Sequence, residues 1–175
     1  MAGVLCLDLA PDMCGFCAGS GHGAPEAGAF HLTGVTADLG LLATSLEDML
    51  AILIDRHQPE AISYESPILK STDKLQKIRC IYGLGFEVER TCARKSIECG
   101  EINLRRIKSF ATGDQYAEKK DVADAMERIG ITLPAKASEG RLDAGDAAAG
   151  WLLHLSEFDP AAASPWIARL RGSLL

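Results

Sequence analysis

Two short apolar stretches, each with a carboxylate at or next to its end, constrain this chain more than any other feature. Residues 3–9 read GVLCLDL and residues 60–65 read EAISYE. Runs of that length and character predict buried strands. A charge at the end of a buried strand is expensive unless it is paired or holds a metal. Asp8 and Glu65 therefore both fall at C-terminal strand ends, where ligands gather in open α/β sheets. Taken alone, Asp8 reads equally well as a strand-terminal cap.

The rest of the pattern organises around these two strands. Residues 15–19 and 29–33 are further strand candidates, separated by a Gly-rich turn that contains Pro25. The opening thus reads as antiparallel strands joined by turns. From residue 38 to 56, Leu39, Leu42, Leu46, Met49, Leu50 and Leu53 recur at helical spacing until Pro59 stops the helix. Residues 71–92 predict a second helix, with Ile78, Ile81, Tyr82 and Gly85 on one side. A fifth strand follows at 96–102, short helices at 104–111 and 119–129, and a last helix at 143–157. Strands first, then helices alternating with strands, is an α/β pattern around one mixed sheet. The chain reads as one domain over residues 1–157, with residues 158–175 as a tail that packs on or extends it.

Composition agrees with this class. The 175 residues are 47% hydrophobic and 24% charged, which excludes a disordered chain, a collagen and a coiled coil. A chain of this length can bury about 70% of its unfolded surface. The longest apolar stretch, residues 39–54, is broken by Glu47 and Asp48, too short and too charged for a membrane span. The N-terminus has no basic lead and carries Asp8 early, unlike a signal peptide. The six cysteines are accordingly expected to be thiols, in a cytoplasmic protein.

Several familiar motifs fail on context. Cys14-Gly-Phe-Cys17 has the spacing of a zinc half-site, but no second pair follows. Gly19 to Ala24 satisfies GxGxxA, yet Pro25 and a strand follow where a dinucleotide fold needs a helix. There is no P-loop and no GxSxG elbow. His154, on the last helix, reads as a surface or packing residue.

The charge distribution is more informative than the net charge of −6. Residues 70–120 hold 12 Lys/Arg against 7 Asp/Glu, and the remainder holds 6 against 17. This is a basic segment in an acidic protein, either a solvated helical face or a binding surface for a polyanion.

Asp143 and Asp146 lie three apart on the last helix, which places both carboxylates on one face. Helix-start acids are favoured by the macrodipole, and that explains Asp143. The surroundings ask for more. Ala144, Gly145, Ala147, Ala148, Ala149 and Gly150 are all small, so this helix can lie close against other backbone. Its aspartates would then face a sheet presenting Asp8 and Glu65. Four convergent carboxylates cannot all stay ionised without cations. Oxygen ligands of this kind suit Mg²⁺ or Mn²⁺. Two such ions form the clamp used in phosphodiester displacement.

These residues carry a resemblance. The stretches LCLDLAPDMCGFCAG, HQPEAISYES, INLRRIKSFATGDQYAEKKDV and LDAGDAAAGWLL resemble, in order and spacing, the RuvC family of Holliday-junction resolvases, particularly its phage-type members, within the RNase H-like superfamily. The resemblance implies a five-stranded mixed sheet of order 3-2-1-4-5 flanked by helices. It implies a homodimer whose two sites cut a four-way DNA junction symmetrically, leaving 5′-phosphates. It places the four metal-binding acids on Asp8, Glu65, Asp143 and Asp146, with two Mg²⁺ per site, Mn²⁺ substituting, and Asp8 shared between the ions. The family's lysines fall on Lys119, with Lys120 beside it, and on Lys108. Lys70, Lys74, Lys77, Arg105, Arg106, Lys108 and Lys120 would then track DNA backbone, and Lys119 would act on the phosphate. Two departures stand out: Asp8-Leu9-Ala10 replaces the bacterial Asp-Pro-Gly, and Ser66-Pro67-Ile68-Leu69 carries no aromatic after the glutamate. Other RNase H-like nucleases acting on flaps or RNA, and a non-catalytic junction-binding module, remain alternatives. Helicase partners are not legible in the sequence. The second helix holds more apolar residues than one sheet-facing stripe requires, and is the expected dimer surface.

Overall fold

The computed structural model describes residues 3–32, 38–67, 74–136 and 138–173. Five strands form one mixed sheet in the order β3-β2-β1-β4-β5. β1 (Val4–Asp8) pairs antiparallel with β2 (Met13–Gly19), and β2 pairs antiparallel with β3 (Glu26–His31). After α1 (Leu39–His57), β4 (Ala61–Glu65) returns parallel to β1. After α2 (Leu75–Lys95), β5 (Glu98–Ile102) returns parallel to β4. Four helices follow: α3 (Leu104–Thr112), α4 (Lys119–Arg128), α5 (Arg141–Phe158) and α6 (Pro160–Ser173).

Strand alternation divides the core into two layers. Leu5 and Leu7 of β1 and Leu9 just beyond it pack with Ile62 and Tyr64 of β4 against α1 and α2. Val4, Cys6 and Ala61 face the other way, onto α3, α4, α5 and α6. Because successive side chains point to opposite faces, Asp8 follows Val4 and Cys6, and Glu65 follows Ala61 and Ser63. Both carboxylates therefore turn toward the α5 side. Cys14 and Cys17 fall on opposite faces by the same rule, one in each core layer, so they cannot form a shared half-site; all six cysteines are free thiols.

Helix α5 lies close on the sheet because its small residues allow it. A Cβ on Gly15 of β2 would sit 2.1 Å from the backbone oxygen of Asp143, so only glycine lets the start of α5 approach. Trp151 anchors the middle of α5: it is fully buried and donates from Nε1 to the Gly19 oxygen.

Some boundaries differ from the sequence reading. β3 starts at Glu26 rather than residue 29, because register with β2 (Ala18↔Glu26) extends pairing through residues whose own pattern is weak; residue 33 lies outside the described residues. β5 starts at Glu98 because Ser96 takes a left-handed cap conformation, φ 56°, at the end of α2. α2 is described from Leu75, with residues 71–73 outside the described residues, and it runs on to Lys95. Its faces also differ from expectation. Gly85 is buried, and a Cβ there would meet the Tyr64 ring at 3.1 Å, so its close approach serves the sheet and not a second helix. Tyr82 and Phe86 are exposed, as is Leu75, while Cys80, Leu84 and Val88 form the sheet-facing stripe.

The tail is helical. Trp166 of α6 stacks edge-on against Trp151 at 5.9 Å and donates from Nε1 to the Gly21 oxygen. Ala162, Ala163 and Leu170 join the same core layer. Among the described residues, no helix is long and apolar enough to cross a membrane.

Candidate metal centre and nucleic-acid face

Three chain segments meet at the C-terminal ends of β1 and β4. Asp8 and Glu65 end neighbouring parallel strands, and Asp146 comes from the second turn of α5. Ligand oxygens of Asp8, Glu65 and Asp146 all lie within 4.8 Å of one another. Asp8 and Asp146 are buried, at 5% and 1% exposure. Glu65 Oε2 and both Asp146 carboxylate oxygens are buried with no hydrogen-bond partner. Buried carboxylates without partners are rare, because each forfeits its hydration. Unsatisfied oxygens converging from three elements fit a divalent cation with oxygen ligands.

Asp143 stands outside that trio but is joined to it through Lys119, the first residue of α4. Lys119 Nζ donates to Asp8 Oδ2 and to Asp143 Oδ1, each at 2.7 Å. It also lies 3.3 Å from Asp146 Oδ2, within ion-pair reach but without hydrogen-bond geometry. The ammonium occupies the place of a neutralising cation. Burial pulls the Lys119 pKa down, but the charges of Asp8 and Asp146 and its hydrogen bonds outweigh this and hold it well above the usual lysine range.

The carboxylates respond in the opposite sense. Burial, reinforced by the charges of Asp8 and Asp146, pushes Glu65 up to about 8. Burial pushes Asp146 up to about 7, against the opposing pull of Lys119. Asp8 is raised as well, chiefly by burial, and Lys119 again opposes the shift. Crowded like charges away from water favour the neutral form unless a cation intervenes.

The basic residues divide into groups. Lys74 and Lys77, at the start of α2, line a groove with Pro11 and Asp12, a few residues beyond Asp8. Arg105 and Arg106 of α3 line a second groove. Arg106 is ion-paired with Glu157, and Arg105 lies 5.7 Å from the centroid of the Tyr116 ring. Lys108 donates to the Ala117 oxygen at 2.6 Å, bracing the loop that delivers Lys119; its charge also reaches Glu65 and Asp146. Lys120 is largely exposed, 3.8 Å from Asp124. Lys70 lies outside the described residues.

Two features escaped sequence reasoning. Arg141 is buried and bonds Asp124 at 2.7 Å and Glu127 at 2.8 Å, clamping α5 to α4. The signal was a lone arginine just before two aspartates, which reads equally well as a solvated residue. Tyr116 is 70% exposed; the signal was one aromatic inside the polar run 112–120.

Solved structures share this architecture. The chain superposes on Thermus thermophilus RuvC in complex with Holliday junction substrate with a TM-score of 0.68, over 98% of this chain and 97% of that one, at 15% identity. The fold is that of RuvC. A second Thermus thermophilus RuvC structure gives a TM-score of 0.65 at 14% identity, covering 88% of this chain and 96% of that one. A yeast mitochondrial Holliday junction resolvase gives 0.57 at 14% identity, over 98% of this chain and 81% of that one. No protein-family model matches the sequence, and neither does any curated protein. The RuvC-like sheet order is the 3-2-1-4-5 expected from the sequence.

Proposed function

We propose that this chain is a metal-dependent, structure-selective DNA endonuclease that resolves four-way junctions by paired symmetric nicks. The observation that carries the proposal is the trio Asp8, Glu65 and Asp146, whose ligand oxygens converge within 4.8 Å, with Glu65 Oε2 and both Asp146 oxygens buried and without a hydrogen-bond partner, at the strand ends of a RuvC fold. Asp8, Glu65 and Asp146, with Asp143 beside them, would hold Mg²⁺, or Mn²⁺ in its place. When bound there, two such ions supply an ionised water at neutral pH and positive charge for the leaving 3′ oxygen.

The chain's own residues do the rest. β1, β4 and α5 fix the carboxylates in place, so little reorganisation is needed when substrate arrives. Lys119 exchanges its carboxylate partners for the phosphate being cut, and Lys108 holds the loop that aims it. Lys74, Lys77, Arg105, Arg106 and Lys120 run along the DNA backbone. Residues 1–157 form the nuclease domain and residues 158–175 extend it. Two copies associate through the exposed Leu75, Tyr82 and Phe86 of α2, which gives the two-fold symmetry that paired cuts require.

Labelled four-way junction, flap and RNA–DNA hybrid, each incubated with Mg²⁺ or EDTA, test the reading. Mg²⁺-dependent cutting of the junction in preference to the others is expected. Preference for flap or hybrid would make this a different RNase H-like nuclease. Binding without cutting in Mg²⁺ or Mn²⁺ would make it a junction-binding module.

A further inference from the structure

The loop between α3 and α4 carries a feature that the metal centre does not use. It borders an open groove of about 770 Å³ lined by Arg105, Arg106, Ser109 and Tyr116 among others. Tyr116 is 70% exposed, yet its backbone is tightly held. Its N–H donates to Asp114 Oδ1 at 2.8 Å, Thr112 Oγ1 donates to the Asp114 oxygen, and Lys108 fixes the Ala117 oxygen. Gly113 caps α3 in the left-handed conformation, φ 82°. The loop is therefore preorganised, and it presents a phenol ring to solvent with the Arg105 guanidinium 5.7 Å from the ring centroid. A rigid aromatic face backed by a cation, in a groove with a second arginine, suits a flat, electron-rich ring attached to a phosphate chain. The Asp114 carboxylate, the acid lining this groove, is engaged by the loop backbone.

Position fixes which ring. Tyr116 precedes Lys119 by three residues, which span at most about 11 Å. Lys119 bonds Asp8 and Asp143. At about 3.4 Å per nucleotide along a strand, the two backbone positions lie within about three nucleotide spacings of each other. The side chains add reach at either end, so the ring is a few nucleotides from the phosphate that Lys119 would meet. Inside a continuous duplex the base faces there are covered by stacking; at an opened branch point the stack is interrupted and a base face can be reached.

We propose that this groove is a nucleobase subsite, in which Tyr116, backed by Arg105, stacks on an unpaired base of the strand being cut. Tyr116 then acts as a specificity-determining residue, favouring branched over fully paired DNA. The inference rests on the endonuclease reading above.

The test compares the full chain with Tyr116→Ala and Tyr116→Phe. Binding is measured with Ca²⁺ in place of Mg²⁺, to a four-way junction and to a linear duplex of the same sequence. Tyr116→Ala should weaken junction binding by about fivefold or more, the scale of one lost base–aromatic stack, and leave duplex binding within about twofold. Tyr116→Phe, which keeps the ring, should bind the junction as the unaltered chain does. Unchanged junction binding by Tyr116→Ala would overturn the subsite while leaving the endonuclease reading intact. So would equal losses on junction and duplex, or a Tyr116→Phe defect as large as that of Tyr116→Ala. Failure of the unaltered chain to bind any branched DNA would overturn both.

Discussion

Lys119 Nζ and Asp8 Oδ2 lie 2.7 Å apart, joining the first residue of α4 to the last residue of β1. In the metal-free chain this ammonium neutralises carboxylates that otherwise face one another. Lys119→Met should therefore have two opposite effects. Losing one partner of a fully buried pair costs about 3–5 kcal/mol; Lys119 is 40% exposed, so solvent screening reduces the expected loss to about 1–2 kcal/mol in EDTA. Removing the competing charge should tighten divalent binding, seen as a larger Mn²⁺-induced rise in Tm than in the unaltered chain, while cleavage falls by at least about 100-fold. An equal Mn²⁺ response in both proteins would show that the lysine does not share the carboxylates with a metal.

Asp146→Asn keeps the shape of a side chain that is 1% exposed and removes one charge. Both of its carboxylate oxygens lack a hydrogen bond and burial disfavours its charged form against the pull of Lys119, so in EDTA the variant should be more stable, by about 1 kcal/mol. It should bind junction DNA and fail to cut it. Thermal melts in EDTA with a gel-based cleavage assay check both parts; normal cutting would remove Asp146 from the site.

The carboxylate environment sets a pH dependence. Burial, with the charges of Asp8 and Asp146, pushes Glu65 up to about 8, and burial, against the opposing pull of Lys119, pushes Asp146 up to about 7. In an unfolded chain such groups titrate near about 4. The folded chain then binds more protons than the unfolded one, and stability falls as pH rises through the folded values. This contribution is fully present below about pH 4 and gone above about pH 8. Without divalent ions, Tm should fall between about pH 6 and pH 9, and Mg²⁺ should reduce the fall because metal binds the ionised ligands. A flat Tm in EDTA across that range would show that the carboxylates are already ionised in the metal-free chain.

Phe86 is 64% exposed on α2, so a charge there costs little folding stability. Phe86→Glu should give a chain with the mass of one 18.7 kDa copy that still nicks but no longer makes paired cuts. Sedimentation of the unaltered chain should give near twice that mass; a strict monomer that makes paired cuts would contradict the two-fold arrangement.

The strand ends carrying Asp8 and Glu65 were legible because a charge closing an apolar run is conspicuous and strand alternation then fixes its face. The small-residue run of α5 likewise announced close packing, which Gly15 completes from the other side. What was not legible depends on partners far away in sequence. β3 gains its first residues from pairing with β2. Gly85 does not belong to the outer apolar face of α2 because it packs on Tyr64, a contact that no helical periodicity encodes. Arg141 is explained by its bonds to Asp124 and Glu127, and Tyr116 by a loop geometry that the run 112–120 does not spell out.

Mapping the cuts made in an end-labelled four-way junction tests the central claim most directly. With Mg²⁺ the account predicts one nick in each of two strands of like polarity, at symmetric positions, absent in EDTA and with Asp146→Asn. An intact junction in both Mg²⁺ and Mn²⁺, or cutting that survives Asp146→Asn, would contradict it.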